Sequence, residues 1–188
     1  MNTPKPKIGS SANERSRARA AGAMEIRSIS FVSAFLRAEL IRKTGLPIAD
    51  YFLWNDDFEY SARLLRKGRG LFVPASVVTH KTKIRGSSDQ DPGERFFFEV
   101  RNKLWVFRHS RALTCWEKIL YFGASLRRWV RTFIASTNRG VLLRCLGAGL
   151  KAGLFTRPRI TPFVLEGAGV PHEVQRTILS LTAGKGRW

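Results

Sequence analysis

The chain has 188 residues and carries 33 Lys and Arg against 14 Asp and Glu, a formal net charge of +19. That length supports one domain with appendages and a real buried core. No uncharged apolar run approaches the ~20 residues that span a bilayer, and the basic N-terminus lacks the apolar stretch of a secretory signal.

The charge is unevenly spread. Residues 29–100 hold eleven basic and nine acidic side chains, whereas residues 101–159 hold thirteen basic and one acidic. A surface of that kind attracts polyanions, either nucleic acid or an anionic membrane face. No zinc-ligand set or RNA-binding aromatic signature accompanies the charge, which argues against nucleic acid. Cys115 and Cys145, the two cysteines, sit in apolar helical contexts without CxxC spacing. They read as buried, reduced thiols of a cytoplasmic protein.

In chain order, residues 1–25 are rich in Lys, Arg, Ser, Ala and Pro and nearly devoid of large apolar side chains. They are expected to stay disordered, because they offer too little burial to offset ordering. Residues 26–31 begin an extended segment, and residues 37–44 predict a short helix stopped by Gly45. Residues 46–54 form a loop with Pro47 and three aromatics, Tyr51, Phe52 and Trp54. Asn55 is a good N-cap for a helix running to about Lys67, which places Asp56 and Asp57 in a first turn whose dipole favours negative charge. Residues 71–73 and 76–79 read as extended pieces kinked by Pro74 and ending at His80-Lys81.

Beyond a polar loop over residues 81–93, Asp91-Pro92 predicts an N-cap and first helical residue. The helix that follows, to about His109, is expected to bury Phe97, Val100, Leu104 and Phe107. Residues 116–134 carry Trp116, Ile119, Leu120, Gly123, Val130 and Phe133 at helical spacing, with Arg127, Arg128 and Arg131 largely to another side. Residues 139–155 read as a second, Gly-broken helical stretch.

Three constellations carry chemistry. Neighbouring carboxylates disfavour each other's ionisation, so one of Asp56 and Asp57 can be tuned as a general base; simple helix capping accounts for the pair equally well. The aromatic loop beside them provides either a sugar-stacking wall or ordinary core packing. His80 and Lys81 arrive together at a strand end, where ligands of open α/β sheets gather, and Lys81 supplies positive charge for a phosphate. The third constellation is the basic helical stretch, whose apolar stripes and single acid, Glu117, fit helices lying on an anionic leaflet. The alternative for that stretch is a solvated basic face. Asp89-Gln90-Asp91 has the form of a DxD metal motif, but its place in a Ser- and Gly-rich loop and the capping role of Asp91 speak against metal binding.

The ordered set Phe52, Trp54, Asp56, Asp57, Glu59, Tyr60, Arg63, Leu64, Gly68, Val73, Pro74, Val78, His80 and Lys81 resembles the second half of family 2 glycosyltransferases of the GT-A fold. The likeness is to their rhamnosyl- and galactofuranosyl-transferase branch. Residues 101–105 (RNKLW) resemble the RN-x-L helix of that family and residues 147–155 its Gly-rich basic tail. The resemblance implies an α/β, Rossmann-like fold of which this chain holds the acceptor-side part over residues 26–112. A basic amphipathic helical tail over residues 113–159 and an extension over residues 160–188 follow.

The resemblance also implies roles. Asp57 matches the catalytic base, Asp56 the neighbouring acid that binds the acceptor, and Trp54 an acceptor-stacking ring. His80 matches a ligand to Mn²⁺ or Mg²⁺ on the donor diphosphate. Residues 1–28 are too short and too polar to be the nucleotide-binding, DxD-bearing half, so a truncated enzyme or a separate chain carrying that half is expected. The expected partners are a nucleotide-sugar donor, a glycan or lipid-linked acceptor, and the inner face of the plasma membrane, where the protein would be peripheral. A nonenzymatic basic protein that binds nucleic acid and an inactive remnant are the alternatives.

Overall fold

The structure is a computed structural model that describes residues 5–6, 11–79, 81 and 91–182. It is mostly helical with a small antiparallel sheet, so the expected mixture of helix and strand holds with helix dominant. Strands β1 (Lys5–Pro6), β2 (Met24–Ser28) and β3 (Gly70–Phe72) pair in the order β1-β2-β3, both pairs antiparallel. Met24 lies opposite Phe72 and Ile26 opposite Gly70.

The helices are α1 (Ala12–Ala20), α2 (Ala38–Thr44), α3 (Asp56–Leu64) and α4 (Phe96–His109), followed by α5 (Cys115–Ala135), α6 (Arg139–Phe155), α7 (Thr161–Glu166) and α8 (His172–Thr182). Helix α1 lies within the stretch expected to be disordered, of which residues 1–4 and 7–10 are outside the described residues. Its composition is polar, but Ser11 and Glu14 form a reciprocal capping box at its start, and Arg17 and Arg19 lie in its last turn, where the dipole favours cations.

Helix α4 is central because it contributes to both apolar clusters. Trp105 and Val106 pack with Ile48, Tyr51, Phe58, Ala62, Ala112 and Leu113. Phe96, Val100 and Leu104 pack with Trp129, Leu142 and Cys145. Phe97 and Phe107, expected in the core, are only partly buried, and Phe96 takes the innermost place instead.

The expected break in α6 is absent. Its glycines do not interrupt the helix but let it lie against α4: a Cβ on Gly149 would fall 2.8 Å from Val100 Cβ, and one on Gly153 2.7 Å from Leu104 Cβ. Helix α4 also caps the C-terminus of α6. The Trp105 indole donates to the Thr156 carbonyl at 3.1 Å, and Arg108 donates to the carbonyls of Gly153 and Leu154. Those carbonyls have no partner within their own helix, and a cation there suits the dipole.

Other expectations fail for local reasons. Residues 73–76 turn, with the Ser76 amide bonded to the Val73 carbonyl at 3.0 Å, so residues 76–79 add no strand and Val77 and Val78 are exposed. A one-turn 3₁₀ segment, Gly93–Arg95, intervenes before α4, and the Asp91 carboxylate accepts from the hydroxyls of Ser136 and Thr137, both at 3.0 Å, rather than capping α4. Of the two free thiols, Cys145 is buried as expected but Cys115 is exposed, because it opens α5 on the solvent side. Among the described residues, no helix is long and apolar enough to cross a membrane.

The two kinds of glycine in α6 make a direct test. Gly153→Ala is expected to destabilise by about 1–3 kcal/mol through overpacking against α4. Gly147→Ala, where a Cβ meets nothing within 4 Å, is expected to stabilise by about 0.5–1 kcal/mol through helix propensity. Urea unfolding of the two variants measures both signs.

Candidate functional site at the head of α3

The chain enters α3 through a loop held in an unfavourable conformation. Phe52, Trp54 and Asn55 have φ of 59°, 61° and 64°, the only non-glycine residues with positive φ among those described. Such backbone costs about 1 kcal/mol or more per residue, and the surroundings must enforce it. Asn102 on α4 does so. Its buried Nδ2 donates to the carbonyls of Tyr51, Leu53 and Trp54, each at 2.8 Å. An amide has two N–H bonds, so three carbonyls share two protons. The Asn102 Oδ1 accepts from Arg101 Nε at 2.9 Å, which fixes the amide orientation.

Arg101 extends the clamp. Its guanidinium donates to the Asp50 carbonyl at 3.1 Å and lies 4.2 Å from the centre of the Trp105 ring and 5.0 Å from that of Phe98. Phe52, exposed, sits 5.7 Å from Phe98, and Trp54, two residues on, is half-buried. Tyr51 turns inward instead and packs edge-on against Trp105.

Asn55 precedes α3 as expected, but its side chain does not cap the helix. It donates to Glu99 Oε2 at 3.0 Å, tying the start of α3 to α4. Asp57 is 8% exposed and its Oδ1 accepts from the Phe58 amide at 2.7 Å. Asp56 is half-buried. Burial pushes its carboxyl above the usual range, the charge of Asp57 adds to that, and the backbone amides of residues 57 and 56 oppose it. The dipole of α3 favours both carboxylates.

Glu99 was missed in the sequence. It is 4% exposed, and its Oε1 has no hydrogen-bond partner among the described residues. The available signal was a lone acid inside the apolar run FFFEV, where a charge persists only if it is paired or used.

The remaining motif residues of α3 build the scaffold. Glu59, 1% exposed, pairs with Arg63 at 3.0 Å and accepts from the Ser110 hydroxyl at 2.6 Å. Arg63 also donates to the carbonyls of Thr44 and Leu46, and the Tyr60 hydroxyl to that of Gly45, so α3 fixes the end of α2 and the loop after it. Ser61 exchanges hydrogen bonds with the amide and carbonyl of Ile29. On the other side Arg27 of β2 reaches the Ala62 and Ala112 carbonyls and pairs with Glu117 at 2.7 Å.

A strap from the C-terminal segment closes the loop. Asp50 accepts from the Arg159 guanidinium at 2.8 Å and from its amide at 2.8 Å, and Thr161 bonds the Ala49 amide and the Pro47 carbonyl. Burial alone would raise the Asp50 carboxyl, but the hydrogen bonds and charge of Arg159, with the charge of Arg101, outweigh it and hold it below its ordinary value.

Of the sequence-derived site residues, Asp56 and Asp57 are adjacent in the first turn of α3, and Trp54 stands in the loop just before it. Lys81 is exposed. His80 lies outside the described residues, as do Asp89 and Gln90. Among the described residues no three His, Cys, Asp or Glu side chains group to hold a metal ion, so those residues do not by themselves form the expected Mn²⁺ or Mg²⁺ site. No protein-family model, curated protein or solved structure matches the chain.

Two outcomes follow from the clamp and the strap. Asn102→Ala strands three carbonyls in a buried site and is expected to cost about 2–3 kcal/mol, read as a lowered urea midpoint. Asp50→Asn is expected to cost about 0.5–1 kcal/mol at neutral pH, since Arg159 is largely exposed. A carboxyl with a lowered folded-state pKa stabilises above its unfolded pKa of about 3.9 and loses that stabilisation as pH falls through the folded value. The gap between wild type and Asp50→Asn should therefore close in acid, as measured by thermal unfolding across pH.

Proposed function

We propose that this chain holds the acceptor-side part of an inverting, GT-A-like glycosyltransferase, which works together with a DxD-bearing, nucleotide-sugar-binding part. One observation supports the reading above others: an acidic pair, Asp56 half-buried and Asp57 buried, heads α3 just after a loop with three enforced positive-φ residues. Strained backbone of this kind concentrates at functional sites, and helix capping alone does not call for it.

In this reading the Asp57 carboxylate takes the proton of an acceptor hydroxyl. The hydroxyl oxygen bonds to the anomeric carbon as the bond to the nucleoside diphosphate breaks, and the proton stays on Asp57. Asp56, whose carboxyl is pushed above the usual range by burial, hydrogen-bonds the acceptor, and Trp54 stacks on its sugar ring. Asn102 and Arg101 position these groups and touch no substrate. The acceptor is a glycan or a lipid-linked glycan, in keeping with polysaccharide or cell-wall assembly. His80, Lys81 and a divalent cation belong to the donor side of this proposal.

The expected result is that Asp57→Asn lowers transfer by about 100-fold or more, with circular dichroism unchanged. The measurement is transfer of a radiolabelled sugar from a nucleotide-sugar by this chain in complex with, or fused to, a donor-binding half. Undiminished transfer by that variant would remove Asp57 as the base.

A further inference from the structure

Helix α5 carries an apolar face that none of the other described residues covers. Its inner side is set by Ser125 and Trp129, both buried, with Tyr121 and Phe133 partly so. Along the flank next to that inner side lie Trp116, Ile119, Leu126, Val130 and Ile134, spaced by one turn or, across Gly123, by two, and they are 67%, 62%, 42%, 58% and 69% exposed. At 21 residues the helix is about 30 Å long, so this is a continuous stripe and not scattered exposure.

The rotation of α5 is fixed, which makes the outward stripe a property of the fold. At one end Glu117 closes a capping box with Thr114 and is paired to Arg27 of β2. In the other half Trp129 and Phe133 pack edge-on against Phe96, with ring centres 6.3 Å and 6.0 Å apart. Turning the stripe inward would break all of these contacts.

Charge decides what covers it. Arg127 and Arg131 are exposed and, at 100° per residue, border the stripe along one side. The one acid on α5, Glu117, is committed to Arg27. Two copies of this face would bring arginines against arginines with no acidic residue of the helix to answer them, and nucleic acid offers nothing to a row of aliphatic side chains. A partner that is apolar beneath and anionic at its surface satisfies both features, and no described helix is able to cross it.

We infer that α5 is an in-plane membrane anchor: Trp116, Ile119, Leu126, Val130 and Ile134 enter the acyl boundary of an anionic bilayer, while Arg127 and Arg131 meet lipid phosphates. This goes beyond sugar transfer and does not depend on it. The test is flotation of the full chain with phosphatidylcholine vesicles, with and without phosphatidylglycerol. Binding is expected only with phosphatidylglycerol and should weaken with salt.

Ile119→Glu/Val130→Glu changes two exposed positions, so the fold should survive, as circular dichroism will report. It is expected to lower vesicle binding by about tenfold or more, and Arg127→Gln/Arg131→Gln to reduce binding together with its salt dependence. The inference is overturned if the full chain stays with the buffer fraction or if the Glu double variant binds as well as wild type. It is equally overturned if gel filtration shows a dimer that this variant dissolves. No sugar transfer is read, so these outcomes are separate from the fate of Asp57.

Discussion

The site depends on one side-chain amide. Asn102 supplies two protons to three carbonyls of a loop whose dihedrals are otherwise unfavourable, and it can do so only because Arg101 holds its oxygen from the other side. Both residues stand on α4, the helix that both apolar clusters share. The position of the acidic pair is therefore referred to the core of the protein rather than to the loop that precedes it. Loop geometry of this kind is kept only where packing over-determines it.

A second layer of polar contacts fixes α3 from below. Glu59 and Arg63 form a buried pair in which each charge also meets a neutral partner, Ser110 for the acid and two backbone carbonyls for the base. Such a pair contributes little against an apolar replacement of equal shape, while removal of one partner alone leaves a costly buried charge. Its service is geometric: it aligns α3 with the end of α2 and with the turn after α4. The strained loop and the acidic pair then lie at the junction of segments that cannot shift independently.

The elements with strong local signals were legible in the sequence. The Gly45 stop of α2, the acidic head of α3 and the long periodic run of α5 all stand where their spacing placed them, because a glycine at φ of 87° or a 3.6-residue stripe acts through neighbours in sequence. What failed was decided by partners far along the chain. Asp91 looks like a cap but is claimed by Ser136 and Thr137, some 45 residues away, and the α6 glycines look like breaks but are contact points for α4. In the candidate site, the place of Asp56 and Asp57 in the first turn of α3 was legible. The role of Glu99 was not, since nothing in FFFEV reveals that Asn55 will turn toward it. The same limit applies to α5, whose apolar positions were legible while their outward direction was set by Arg27 and Phe96.

Arg27 has a consequence of its own. One guanidinium holds a carbonyl near the end of α3, a carbonyl ahead of α5 and a carboxylate within α5, from a strand that itself pairs with β1 and β3. A lysine has no planar fork with which to serve three such acceptors. These segments share this fastener, so they should open together, and amide exchange across them should report one cooperative unit instead of a graded series of local frayings.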